Sequence, residues 1–573
     1  MIMPNNRRAL LPVLLLVFSC IAFAAPARPA HGQKAMVTTV QGDATKAGLE
    51  IMRAGGNAVD ASVAVGFALA VTHPQAGNLG GGGFLLVRFA NGEVHFLDYR
   101  EKAPAAATEN MYLDAQGNVI PDLSLVGYKA SGVPGSVAGL VYAQKKWGKL
   151  PLARVVQPAI RLAREGFVLS YGDAQSFHDE HLTQFPESKR IFQRGGNFYQ
   201  QGDVFKQPEL ASTLERIAKN PDDFYKGAMA KQIAAAVQKG GGLITEKDLA
   251  DYNVVERHPI RGTYRGLDVY SAPPPSSGGV ALMEILNILE AYDLPKLGNR
   301  SAQSMHLTAE AMKRAFYDRA ELMGDPDFST IPVNELIDKK YAALWREGID
   351  PEHATPAKSL QRPKFGQLDR DAKVHPVREP EHTTHYSVVD PDGNAVAVTT
   401  TLNDGLGSRV TVEGLGFLLN DEMDDFAAKQ GVPNAYGLIQ GPANAVGPKK
   451  RPLSAMTPTI VTKDGKLFLV LGSPGGPTII TTVANILIGV ADYGMNIQEA
   501  VNAPRFHHQW LPDEIRIERV GISPDTIDAL QGKGHAVKKG GYWGDAECIM
   551  IDPKNGERLG ATDYRNDGKA EGY

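Results

Sequence analysis

Apolar positions recur along this chain with two different periods, and together they predict a mixed α/β protein. Ala35–Gln41 alternates as a strand does, and Asp43–Ala54 has helical spacing closed by Gly55-Gly56, where glycine can take the left-handed conformation that ends a helix. Asn57–Val71 is apolar on nearly every face. It is shorter than the ~20 residues needed to span a bilayer, so it predicts a helix buried against a sheet. Phe84–Phe89 and Val94–Tyr99 flank Ala90-Asn91-Gly92, and Asn-Gly at the turn predicts a hairpin. Ser301–Met323 predicts a long helix with Met305, Ala309, Met312 and Phe316 on one face, a spacing that marks core packing.

From about Glu352 to His382 the apolar period is lost among Lys, Arg, Asp, Pro and His, which predicts an exposed, mobile tether. Strands resume at Thr384–Val389, Ala395–Thr401 and Lys466–Gly472, and a nearly uncharged helix is predicted over Thr478–Val490 after a Gly-Gly turn. Sheets bordered by apolar helices predict layered helix, sheet, sheet, helix packing.

Composition narrows the function. With 573 residues, 43% of them hydrophobic, the chain has material for a large core. A net charge of −4 with interspersed signs offers no basic stripe for phosphates, so the expected partner is a small molecule and not nucleic acid. Arg7 and Arg8, an apolar run from Ala9 to about Ala22, and Ala22-Phe23-Ala24 before Ala25-Pro26 predict a secretory signal over 1–24 and an exported, periplasmic or extracellular protein. The paired arginines leave a twin-arginine route open, while Phe18 argues against lipidation at Cys20. Loss of the signal would leave Cys548 as the only cysteine, in a stretch that reads as a buried strand, with no intramolecular disulfide.

The candidate chemistry centres on Thr383, in Glu381-His382-Thr383-Thr384-His385-Tyr386. A threonine hydroxyl needs a base beside it, and a freed α-amino group, of ordinary pKa ~7.7–8.0, can supply that base within the same residue. By itself the Thr-Thr pair is ordinary strand material. His178-Asp179-Glu180-His181 and His507-His508 lack a zinc spacing such as H-E-x-x-H and read as histidines that are solvated or that support other side chains, and no G-x-S-x-G elbow, P-loop or dinucleotide fingerprint occurs. No metal and no cofactor are expected.

Further segments keep Thr383 company: Gly77-Asn78-Leu79-Gly80-Gly81-Gly82-Gly83-Phe84, Leu97-Asp98-Tyr99-Arg100-Glu101, Pro273-Pro274-Pro275-Ser276-Ser277-Gly278-Gly279, Thr401-Leu402-Asn403, Met423-Asp424-Asp425-Phe426, Arg451-Pro452-Leu453-Ser454 and Gly472-Ser473-Pro474-Gly475-Gly476. In this order and spacing the chain resembles a bacterial γ-glutamyltranspeptidase, a self-cleaving N-terminal nucleophile hydrolase, over nearly its whole mature length. The resemblance implies a four-layer αββα sandwich in which a large part, 25–382, and a small catalytic part, 383–573, interdigitate as a heterodimer of the chain's own pieces. It implies autocleavage between His382 and Thr383. Thr383 would then take the acyl group of a γ-glutamyl donor such as glutathione and pass it to water, an amino acid or a dipeptide.

The same resemblance assigns roles. Thr401 orients the nucleophile, and Gly475 and Gly476 supply backbone N–H groups for the oxyanion. Arg100 binds the donor's α-carboxylate, Asp425 its α-ammonium, with Glu422 and Asn403 assisting. Ser454 is followed by Ala455 where the family usually has a second serine, which predicts weaker glutamyl binding through loss of a hydrogen bond worth ~1.5–3 kcal/mol. Gly431–Gly441, with Tyr436 near its middle, corresponds to a lid loop that some members have. Thr562-Asp563-Tyr564-Arg565 departs from the usual Asp-Pro-Arg and is expected to be a local surface change. Two alternatives stay open: a glutaryl (cephalosporin-type) acylase on the same scaffold, which has no ammonium to read, and an uncleaved exported γ-glutamyl binding protein.

Overall fold

A computed structural model describes residues 27–366, 368, 382–429 and 441–573. The predicted signal segment, the chain from 369 to 381, and Tyr436 with most of its loop lie outside the described residues.

Before residue 383 the chain forms β1 (Ala30–Gly32), β2 (Met36–Thr39), α1 (Gly42–Arg53), α2 (Ala58–Thr72), β3 (Gly82–Arg88), β4 (Val94–Asp98), β5 (Val255–Arg257), β6 (Ile260–Tyr264), β7 (Leu267–Ser271), α3 (Gly278–Leu289) and α4 (Ala302–Leu322), among shorter elements. From residue 383 it forms β8 (Thr383–Val389), β9 (Ala395–Thr401), β10 (Thr459–Lys463), β11 (Lys466–Leu471), α5 (Thr478–Ala491), β12 (Cys548–Ile551), β13 (Arg558–Ala561) and β14 (Lys569–Gly572). These strands build two seven-stranded sheets, ordered β1-β13-β12-β11-β10-β7-β6 and β14-β2-β8-β9-β3-β4-β5. Strands from the two sides of residue 383 are therefore mixed within both sheets. β8 lies between β2 and β9, and β1 closes an edge against β13.

The period-two pattern explains the layering, since alternate residues of a strand face opposite sides. Phe84 and Leu86 point inward and meet Ile460, Val470 and Ile549 between the sheets. Leu85 and Val87 point outward beneath α1 and α2, while Val269, Val461 and Leu469 on the other outer face pack under α3, α4 and α5. The result is the αββα sandwich expected. α2 begins where the Asn57 side chain accepts from the Val59 and Asp60 N–H groups and the Asp60 carboxylate accepts from the Asn57 N–H, a reciprocal cap that satisfies donors otherwise orphaned. Every residue of this helix is buried, as its all-round apolar character requires. No helix among the described residues is long and apolar enough to cross a membrane.

Three expectations need correction. The first part of the predicted tether is anchored: Ala357 is buried, and Arg362 donates to Asp318 (2.6 Å) and Glu321 (2.7 Å) while lying over the Tyr317 ring. A charged segment can dock when buried acids wait for it, which local hydropathy does not register. α4 buries its charged residues as well: Glu310, Lys313, Arg314, Asp318 and Arg319 are as buried as its apolar stripe. Of the variant C-terminal motif only Tyr564 is exposed; Asp563 is buried, the Arg565 side chain is enclosed, and Asp563 binds Arg505, Arg565 (2.8 Å) and the Ala546 N–H (3.1 Å). His507 and His508 are core residues held below the ordinary histidine range by burial, His507 at about 3. Cys548 sits in its predicted strand, fully buried, with its thiol pushed up to about 12 by burial.

Candidate active site

β8 is an interior strand of its sheet, and its first residue, Thr383, pairs in register with Thr401, the last residue of β9. Pairing fixes both hydroxyls at the same sheet end. Thr383 Oγ1 donates to Thr401 Oγ1 (3.4 Å), and Thr401 Oγ1 donates to the carbonyl of His382 (3.0 Å) while accepting from the Asn403 N–H (2.8 Å). The relay thus leads back to the peptide immediately before Thr383. Asn403 holds a left-handed backbone (φ 83°), and its side chain donates to the Asp421 carbonyl (3.1 Å).

β11 ends in the turn Gly472-Ser473-Pro474-Gly475-Gly476, with φ of 130° and 54° at the last two residues, and α5 follows directly. A Cβ on Gly475 would fall 2.4 Å from Thr478 Oγ1, so side chains are excluded there. The Gly475 carbonyl accepts from Thr478 Oγ1 (2.6 Å) and Thr478 N–H (3.0 Å), which pins the turn to the positive end of the helix. The strand and the turn are also tied together. His385, two residues after Thr383 on the same face of β8, packs against Gly472, where a Cβ would lie 2.1 Å from its ring. It bonds Thr399 Oγ1 (2.9 Å) and Ser387 Oγ (3.1 Å), and burial holds it at about 3, so the ring is neutral.

Across the pocket, Arg100 is 1% exposed and contacts Glu422 and Asp425, with Glu101 3.8 Å away. Burial opposes the guanidinium charge, yet the three acids outweigh it and raise Arg100 above its ordinary value. The acids pay unequal costs: burial pushes Glu101 up to about 7 and drives Glu422 well above the usual carboxylate range, with Arg100 opposing both shifts. Asp425 is the acid that reaches the pocket surface, with its side chain 18% exposed against 1% or less for the other two. Ser454 is held by its backbone: its N–H donates to the Pro275 carbonyl (2.9 Å), and its carbonyl accepts from Ser277 N–H (2.8 Å) and Ser277 Oγ (2.7 Å).

One pocket gathers Arg100, His382, Thr383, Thr401, Asn403, Glu422, Asp425, Ser454 and Gly476, residues scattered over most of the sequence; Gly475 adjoins it through the turn. Sequence reasoning missed Arg319, Met456 and Ile479, which also line it. Arg319 was hidden because it lies on α4, whose apolar spacing reads only as core. Among the described residues no group of three or more His, Cys, Asp or Glu could hold a metal.

Two stacked sheets, with helices outside and a strand-initial threonine at the rim of a charged pocket, define an N-terminal nucleophile hydrolase. The sequence model of the gamma-glutamyltranspeptidase family matches residues 44–573, and the chain belongs to that family. It is 51% identical to the glutathione hydrolase proenzyme of Escherichia coli (strain K12) over 100% of both chains. It is 36% identical to the acylase ACY 1 proenzyme of Pseudomonas sp. (strain SE83), over 95% of each. Among solved structures, cephalosporin acylase from Bacillus halodurans superposes with a TM-score of 0.83 at 28% identity, covering 97% of this chain and 99% of that one. Helicobacter pylori gamma-glutamyltranspeptidase gives 0.57 at 46% identity, covering 58% of this chain and 96% of that one.

Proposed function

We propose that the protein is an autoprocessed γ-glutamyl acyltransferase and hydrolase, acting on glutathione and related γ-glutamyl amides, with Thr383 as nucleophile. In maturation the Thr383 hydroxyl attacks the His382 carbonyl carbon, the peptide C–N bond breaks, and water hydrolyses the resulting ester, leaving a His382 carboxylate and a free Thr383 α-amine. In turnover that amine takes the hydroxyl proton as Oγ1 attacks the donor's γ-carbonyl. The turn at Gly475 and Gly476 stabilises the oxyanion, the amine product leaves with the proton, and water or the amino group of an amino acid or dipeptide attacks the glutamyl ester. Thr401 orients Oγ1. Arg100 and Ser454 take the α-carboxylate, and Asp425 takes the α-ammonium, with Glu422 and Asn403 in support.

The observation that carries this reading is the acid excess around Arg100 in the pocket that Thr383 lines. Three carboxyl groups about one guanidinium, two of them raised by burial and able to ionise beside a cation, suit a ligand that brings its own, and a glutaryl group brings none. The sequence relatives named as glutathione hydrolases support the donor class. Export, with the signal removed near Ala25, and a heterodimer of residues 25–382 and 383–573 belong to the same proposal.

The test is amine release by the purified mature protein from a γ-glutamyl anilide, with the glutaryl anilide as control, each with and without glycylglycine. Release from the glutamyl compound alone, faster with the acceptor, is expected. Equal or preferred release from the glutaryl compound overturns the proposal in favour of an acylase.

A further inference from the structure

The segment that leads toward Thr383 is built into the support of the pocket. Ala357 donates its N–H to Asp513 (2.7 Å) and accepts from Trp510 Nε1 (3.2 Å), Phe365 lies against Tyr341 with ring centroids 5.7 Å apart, and Leu368 is buried. Between these anchors Arg362 inserts at the end of α4. Its side chain, 4% exposed, donates to Asp318 (2.6 Å) and Glu321 (2.7 Å) and covers the Tyr317 ring. Asp318 also accepts from Tyr341 Oη (2.6 Å) and Trp345 Nε1 (3.1 Å). Burial raises the Asp318 and Glu321 carboxyls, and Arg362 opposes both shifts. Glu284 of α3 is driven well above the usual carboxylate range by burial and by Asp318, so it stays neutral and does not compete for the guanidinium.

The same end of α4 holds the pocket wall. Arg319, next to Asp318 in sequence, donates from Nε to Ser277 Oγ (2.8 Å), which donates to the Ser454 carbonyl (2.7 Å). Just beyond the helix, Asp325 accepts from the Arg451 N–H (2.7 Å). Residues 451–454 present Ser454 to the pocket, and their Pro452 carbonyl accepts from Arg100 Nε (3.3 Å). They are thus tied at two points to α4 and the turn that follows it. Stranding the paired acids at that end by removing their cation is costly, and protons or water taken up in its place need room. Displacement of the wall by even a fraction of an ångström weakens a site that works by fixed geometry.

We infer that Arg362 is a positioning residue for donor binding: by pairing with Asp318 and Glu321 it sets the end of α4, and through Arg319–Ser277 and Asp325–Arg451 it sets the wall that carries Ser454. Arg362 is not among the residues lining the pocket, so it acts on where the wall stands and not by touching the donor. In the proposed processing Arg362 falls in the large part and Ser454 in the small one, so these ion pairs couple the end of one piece to the pocket of the other. This inference rests on the proposed γ-glutamyl function.

The test is steady-state kinetics of the cleaved, folded Arg362→Gln enzyme on the γ-glutamyl anilide. KM is expected to rise about tenfold while kcat changes less than about twofold, because the wall binds the donor and the nucleophile and oxyanion turn lie elsewhere. Arg362→Lys, which keeps the charge, is expected to recover most of the loss. Glu310→Gln is the control: it breaks ion pairs about two turns away on the same helix and should lower stability without moving KM. Should Arg362→Gln fail to fold or cleave, Glu321→Gln, which removes one of the two ion pairs and leaves the other, is read in its place, with KM expected to rise about threefold. An unchanged KM in the variant that is read, a loss carried by kcat, or an equal KM shift in Glu310→Gln overturns the inference while leaving the γ-glutamyl function in place. Failure of the wild-type enzyme to release amine from the γ-glutamyl anilide overturns both.

Discussion

Two buried charge clusters, one in the pocket and one beneath it in the helical layer, obey the same electrostatics and reach opposite outcomes. Around Glu310, Lys313 (3.1 Å) and Arg314 (2.5 Å) supply two cations, Asp513 answers Lys313 from across the core (3.1 Å), and the Thr355 N–H adds a donor (3.1 Å). Burial opposes the Glu310 charge, but these partners win and hold its carboxyl at about 2. Around Arg100 the acids outnumber the cation, and burial wins instead: Glu101 rises to about 7, and Glu422 is driven well above the usual carboxylate range. The balanced cluster closes on itself and holds the fold. The unbalanced one is complete only when something positive arrives, and that is what makes it a site.

The comparison can be broken at either end. Arg100→Met should have the largest effect on activity, lowering kcat/KM for the γ-glutamyl anilide by roughly 10²–10⁴, since two charge-assisted bonds of ~1.5–3 kcal/mol each are lost. Steady-state kinetics on the cleaved enzyme reads this. Glu310→Gln should instead leave kcat/KM of the folded fraction unchanged and cost about 3–5 kcal/mol of stability, the penalty for stranding buried cations, read by denaturant unfolding. Because its carboxyl is held at about 2, this contribution is fully present above about pH 4.3 and lost as pH falls through about 2.

Asp425→Asn comes next, with a fall of about 10–100-fold for the γ-glutamyl donor and little change for the glutaryl one, because the ammonium contact is lost while Glu422 still pairs with Arg100. The raised acids add a pH signature. Glu101, pushed up to about 7 by burial, becomes anionic only as pH rises through that value, so the KM for the γ-glutamyl anilide should fall between about pH 6 and 8 while that for the glutaryl anilide does not. Held above the unfolded-state value of about 4.3, Glu101 also lowers stability as pH rises from there to about 7, because over that window the native state binds more protons than the unfolded chain. The smallest effect is expected from Ala455→Ser, a fall in the γ-glutamyl KM of about tenfold or less, through one restored hydrogen bond. An unchanged KM would mean the pocket already satisfies the carboxylate by other means.

Much of this was legible in the sequence because the informative signals are local. Period-two runs marked β8, β9 and β11, the all-apolar run marked α2, and motif order brought Thr383, Thr401, Arg100 and Asp425 into one pocket before any coordinates. What escaped depends on contacts between distant segments. Arg362 reads as a tether residue until Asp318 and Glu321 are placed beneath it, and Arg319 is lost in a helix that reads as core until Ser277 is brought to its Nε. Asp563 looked superficial because a short polar motif near a terminus carries no mark of the Arg505 that buries it. Buried polar groups are specified by partners, and partners are not periodic.

The placement of β8 between β2 and β9, with β1 and β14 sewn into opposite sheets, changes the molecularity of refolding. While the chain is continuous, recovery after unfolding is a first-order event at any dilution. Once the bond before Thr383 is cut, the same recovery requires two separate polypeptides to meet and interleave through both sheets, so its rate falls with dilution and in practice loses to aggregation. The reaction that arms the enzyme thereby also makes its fold a one-time construction.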